Sequence, residues 1–143
     1  MIWMQLGKKQ GTTQQLEEFN MQKKTELTEQ QAVMEWAERS SGKYPCLDML
    51  YHIPNEGKRT IVNGANLRKA GLKKGVPDLC LPVARGGYHH LYIEMKKDKR
   101  CKPTADQIKW VYALKAEGSY ARVCYSFEEA IGTIEWYLNL KEA

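Results

Sequence analysis

Apolar residues recur along this chain with two periods, and the switches between them mark its elements. After Thr28, the residues Val33, Trp36 and Ala37 share one side of a 3.6-residue repeat that ends near Gly42. Residues 105–118 carry Ile108, Val111, Tyr112 and Leu114 in the same way, stopped by Gly118. Residues 127–138 place Ala130, Ile131, Ile134, Tyr137 and Leu138 on one stripe. Each repeat is preceded by Ser or Thr with Gln or Glu three residues on: Thr28 with Gln31, Thr104 with Gln107, Ser126 with Glu129. That spacing lets the side chains satisfy orphan N–H groups at a helix start, so three capped helices are predicted. A fourth is predicted over residues 62–70, ended by Gly71.

The strand period occupies the gaps. Residues 50–54, 78–81, 88–96 and 120–125 are short runs of apolar or alternating character. In the third, Leu91, Ile93 and Met95 alternate with Tyr92, Glu94 and Lys96. Gly86-Gly87 before it suits a tight hairpin. The order α, β, α, β, β, α, β, α predicts an α/β domain, a mixed sheet flanked by helices. Residues 1–25 are polar and Gln-rich without clear periodicity and read as a mobile arm or short peripheral helix, leaving residues 26–143 as one domain.

Composition narrows the class. Of 143 residues, 43% are hydrophobic and 27% charged, which is globular. No apolar run approaches the ~18 residues that span a membrane. The first residues, Met-Ile-Trp-Met-Gln-Leu-Gly-Lys-Lys, lack the order of a signal peptide. Cys46, Cys80, Cys101 and Cys124 are scattered, and His52, His89 and His90 show no ligand spacing with them. A zinc site or disulfide framework is therefore not expected, and a cytoplasmic setting is. The net charge of +5 is unevenly placed: residues 55–75 hold six bases against one acid, and residues 96–102 hold five against one. Two such segments suit either solvated loops or a surface that meets phosphates.

The candidate chemistry lies between them. Val76-Pro77-Asp78 opens one strand, and Glu94 and Lys96 share a face of the next. If the two strands pair through the hairpin, Asp78 and Glu94 converge at one end of the sheet. Two carboxylates suit a hard cation such as Mg²⁺ or Mn²⁺, and a neighbouring ammonium suits a developing phosphoryl charge.

Pro77-Asp78 followed by Ile93-Glu94-Met95-Lys96 resembles the signature of the PD-(D/E)XK nucleases. His52-Ile-Pro-Asn-Glu-Gly-Lys-Arg59, Gly71-Leu-Lys-Lys-Gly-Val-Pro-Asp-Leu79, Gly86-Gly-Tyr-His-His-Leu-Tyr-Ile-Glu-Met-Lys96 and Thr104-Ala-Asp-Gln107 with Trp110 are together similar to the VRR-NUC family, as is the strand–helix tail over residues 123–138. The resemblance spans roughly residues 27–138. It implies a restriction-endonuclease-like core and a Mg²⁺- or Mn²⁺-dependent DNA endonuclease. Its stand-alone members are small phage or bacterial proteins, some similar to Holliday-junction resolvases and homodimeric. Branched or flap DNA is the implied substrate. The alternatives are a non-catalytic DNA-binding module on the same fold, and a nuclease of linear DNA or RNA.

The resemblance maps Asp78, Glu94 and Lys96 onto the family's catalytic core, matches Gln107 to its motif glutamine, and calls for an acid on the first helix. Glu29 shares a helical face with Val33 and Trp36, whereas Glu35 groups with Gln31, Glu38 and Arg39. Glu29 is therefore the assigned residue, a metal ligand directly or through water, although an acid in a first turn also complements the helix dipole. Gln107 suits both a helix cap and an active-site role. Asn55, Lys58, Arg59 and Arg68, with Lys73, Lys74, Lys97 and Arg100 from the basic stretches, are the candidate contacts to the DNA backbone.

Overall fold

The computed structural model describes residues 24–54 and 61–142. The predicted order of elements is the one observed. Helix α1 (Glu26–Ser40) leads through a 3-10 turn (Pro45–Met49) into β1 (Tyr51–His52). Then come α2 (Ile61–Lys69), β2 (Leu79–Leu81), β3 (Leu91–Met95), α3 (Ala105–Ala116), β4 (Tyr120–Cys124) and α4 (Phe127–Leu138). The sheet runs β1-β2-β3-β4 in chain order. The first two pairings are antiparallel and the last is parallel. The mixed sheet follows from the connections: Gly86 (φ 57°) and Gly87 (φ 85°) supply the two left-handed residues of a tight turn, whereas α3 carries the chain over to a parallel neighbour.

Alternation in β3 divides the molecule into two faces. Leu91, Ile93 and Met95 join Leu79, Leu81 and Cys124 beneath Val33 and Ala37 of α1 and Ala130, Ile134 and Tyr137 of α4. Tyr137 is fully buried, and its hydroxyl donates to the Val83 carbonyl at 2.6 Å, so its polar end is satisfied inside the core. On the other face, α3 packs against β4 through Gln107 and Val111.

Several local expectations are corrected. The first helix starts a turn early: Thr25 is the cap, and its hydroxyl accepts from Thr28 N while Thr25 N donates back to the Thr28 hydroxyl. A threonine at the third position thus closes the box in place of Glu or Gln. Thr104 and Gln107 form the predicted reciprocal box. Ser126 accepts from Glu129 N, but the Glu129 carboxylate goes to Arg122 and Tyr125 N instead. Ile108 and Tyr112 face outward, the latter 68% exposed, because α3 meets the sheet only along its Gln107–Val111 line. The strands are shorter than their apolar runs, and the expected arm lies outside the described residues except for Lys24 and Thr25.

Two consequences are measurable. Gly75 has φ 89°, and a Cβ there would lie 2.6 Å from the Asp106 carbonyl carbon. Gly75→Ala is expected to cost about 2–4 kcal/mol in denaturant unfolding, from backbone strain plus the clash; a change under ~0.5 kcal/mol would contradict this packing. All four cysteines are unbridged. Cys80 and Cys124 are buried, and burial pushes the Cys124 thiol up to about 11. Alkylation of the native protein, followed by mass spectrometry, is expected to label Cys46 and Cys101 first; early modification of Cys124 would contradict the core.

Candidate active site

The register of β2 against β3 decides what meets what. Leu79 pairs with Ile93, Cys80 with Tyr92 and Leu81 with Leu91. One step further, the same register sets Asp78 opposite Glu94, and directly opposed residues of an antiparallel pair share a face. Asp78 is pinned at several points. Pro77 before it is buried, its carboxylate Oδ2 accepts from Met95 N at 2.8 Å, and its carbonyl accepts from Ile53 N at 2.7 Å. The same carbonyl accepts from His52 Nδ1 at 2.8 Å, which fixes the proton of that imidazole on Nδ1.

Glu94 is 1% exposed. Its Oε1 accepts from Gln107 Nε2 at 2.6 Å, while Gln107 Oε1 accepts from Thr104 N at 2.8 Å. Gln107 therefore does both things its sequence position allowed: one end of its amide caps α3 and the other holds the buried carboxylate. Lys96 lies one residue beyond β3, where its N–H continues the parallel ladder to the Cys124 carbonyl. Its ammonium, also buried, sits 3.9 Å from Glu94 Oε1 and 3.4 Å from Glu26 Oε1.

Glu26 is the residue that sequence reasoning missed. With the cap placed at Thr28 it fell outside the helix; with the cap at Thr25 it is the first helical residue. Its spacing of three from Glu29 then puts it on the inward side. Glu29 is buried as its periodicity predicted, but with other partners than expected. Its Oε1 lies 3.1 Å from Lys24 Nζ, and its Oε2 accepts from Phe127 N at 2.9 Å, at the start of α4. Among the described residues no three His, Cys, Asp or Glu side chains group so as to hold a metal ion. Glu29 thus ties α1 to the positive end of α4. Glu35 faces a separate cleft lined by Glu38, Asp48 and Leu47.

The model of the VRR-NUC domain matches residues 10–128. A solved structure titled a VRR_NUC domain protein is 34% identical, covers 82% of this chain and 91% of its own, and superposes with a TM-score of 0.73. No curated protein matches the chain. The chain belongs to the VRR-NUC family. That membership carries a nuclease-type function with DNA as substrate.

Within this VRR-NUC domain the expected DNA contacts come from several segments of the chain. Asn55, Lys58 and Arg59 lie outside the described residues. Arg68 is exposed on α2, and Lys73 and Lys74 are exposed on the turn leading to Asp78. Lys97 is half-buried. Arg100 turns back on Asp98: its Nη2 donates at 2.9 Å and its backbone N–H at 2.9 Å, and these bonds hold the Asp98 carboxyl down at about 2. The Arg100 guanidinium thus pairs with Asp98 within its own loop while its side chain stays 89% exposed. No helix among the described residues is long and apolar enough to cross a membrane.

Proposed function

We propose that this chain is a Mg²⁺- or Mn²⁺-dependent DNA endonuclease that cuts phosphodiester bonds at branched DNA, four-way junctions or flaps, as a homodimer. The observation that carries the reading is the opposition of Asp78 and Glu94 across β2 and β3, with the Lys96 ammonium beside Glu94. The donor chemistry fits such a cation. Asp78 and Glu94 bring two negative charges, which a divalent ion balances, while Glu26 pairs with the Lys96 ammonium. Two carboxylates are also what Mg²⁺ usually takes from a protein, the rest of its shell being water and phosphate oxygen.

Asp78 and Glu94 would hold the ion. When bound, it polarises the phosphoryl oxygen and makes a nearby water more acidic. The chain's own groups do the rest. Gln107 donates to Glu94 and so fixes the carboxylate's orientation before substrate arrives. The backbone bonds around Asp78 do the same for its partner. Lys96 keeps a positive charge at the site, where charge on the phosphoryl oxygens grows in the transition state, and it orients the attacking water. Glu26 sets the ammonium's position. The homodimer rests on the need for two symmetric cuts at a junction, which a two-fold axis supplies. The unbridged cysteines accord with a reducing, cytoplasmic setting.

End-labelled junctions, flaps, duplexes and single strands incubated with Mn²⁺, Mg²⁺ or EDTA test the reading. Metal-dependent cutting of the branched substrates is expected, with paired nicks across a junction. Cutting of linear duplex alone would sink the structure preference, and no cutting with either metal would sink the enzyme.

A further inference from the structure

A cleft of about 380 Å³ adjoins the proposed site, lined by Lys73, Lys74, Asp106, Lys109, Trp110 and Ala113. Its two walls are the segments that build the site. Lys73 and Lys74 precede Gly75, three residues before Asp78, and Asp106 precedes Gln107, which holds Glu94. The walls are locked together where Gly75 meets the backbone of Asp106, too closely to admit a Cβ.

The lining combines two chemistries. Three ammonium groups face one carboxylate, and the Lys74–Asp106 pair is loose, 3.8 Å long with the lysine 85% exposed. Such a pair is weak and leaves the cleft with a positive surplus. The half-buried Trp110 indole lines the same cleft. Its Nε1 donates to the Lys74 carbonyl at 3.0 Å, which satisfies the ring's polar atom and fixes its plane. An oriented aromatic face among cations matches a nucleotide whose base is free: phosphate to ammonium, base to indole. In a duplex the base faces are stacked on one another, so the lysines would serve it and the indole would not.

We infer that this cleft receives one unpaired nucleotide of the DNA, next to the phosphodiester bond that is cut, and so favours substrates with a single-stranded arm. The inference rests on the endonuclease reading for the bond that is cut, but the cleft's selectivity for unpaired DNA can be measured without cleavage.

The test is equilibrium binding of a fluorescent oligo-dT and of a duplex of equal length to the full chain in EDTA. Trp110→Ala is expected to weaken oligo-dT binding about tenfold, within the ~1–3 kcal/mol that a base–aromatic stack contributes, and duplex binding less than twofold. Trp110→Phe keeps a ring and should bind near wild type. An abasic site moved along the oligonucleotide should erase the difference between wild type and Trp110→Ala at one position. Lys73→Glu with Lys109→Glu, both exposed and away from the core, should weaken single strand and duplex alike and lower the salt slope by about one to two. Equal losses for oligo-dT and duplex in Trp110→Ala, or unchanged binding in the double lysine variant, would overturn the inference. If Trp110 governs oligo-dT binding while no substrate is cut with any metal, the cleft's selectivity for unpaired DNA stands and the endonuclease reading falls.

Discussion

Glu94→Gln is expected to lower metal-dependent cleavage at least about a thousandfold, roughly 4 kcal/mol of barrier, with the fold intact. The substitution is nearly isosteric. The new side chain still offers an oxygen to Gln107 Nε2, so the bond that caps the arrangement survives. What disappears is the negative charge, and with it the hold on a divalent cation and the partner of the Lys96 ammonium 3.9 Å away. Neutralising Glu94 removes a deeply buried charge and its repulsion with Asp78 across the strands, and Lys96 keeps Glu26 at 3.4 Å, so the variant should unfold at an equal or higher denaturant concentration than wild type. Loss of activity with gain of stability is a signature that a merely structural glutamate would not give. Single-turnover cleavage in Mn²⁺ measures the first half and urea unfolding the second. Retention of activity within tenfold would remove Glu94 from the chemistry.

The second large effect belongs to Lys96. Lys96→Met removes a buried ammonium lying 3.4 Å from Glu26 and 3.9 Å from Glu94. Cleavage should fall about 10²–10³-fold, the scale seen when one group that stabilises transition-state charge is removed. Metal affinity should move the other way. With the ammonium gone, Glu26 and Glu94 lose the cation that lies beside both, so Mn²⁺ should bind more tightly and raise the melting temperature more than it does in wild type. Glu26→Gln, which only unseats Lys96, should cost about tenfold by comparison. A parallel loss of cleavage and metal binding in Lys96→Met would show instead that the lysine holds the site together.

Most of the architecture was legible because its signals are local. The alternation through residues 88–96 placed Glu94 and Lys96 on one face, and Gly86-Gly87 announced the turn. Thr104 with Gln107 announced α3. The register that opposes Asp78 and Glu94 was open in the sequence, because strand pairing depends on where the core draws each face; burial of Leu79, Leu81, Leu91 and Ile93 together selects it. The miss at α1 has a plain cause. Thr25 and Thr28 are both good caps three residues apart, and the choice between them moves Glu26 into or out of the helix. The burial of Glu29 was legible from its periodicity, but its partner was not, because the Phe127 N–H that it accepts comes from 98 positions away. The engaged fork of Arg100, by contrast, was readable, since Asp98 stands two residues before it.

Calorimetric titration of Mn²⁺ into wild type and into Asp78→Asn with Glu94→Gln, with melting curves of both, tests whether Asp78 and Glu94 hold the cation. A saturable Mn²⁺ isotherm is expected for the wild type, lost in the double variant while it melts at or above the wild-type temperature without metal. A double variant that binds Mn²⁺ like the wild type would contradict that assignment, and would place the cation away from the Asp78–Glu94 pair.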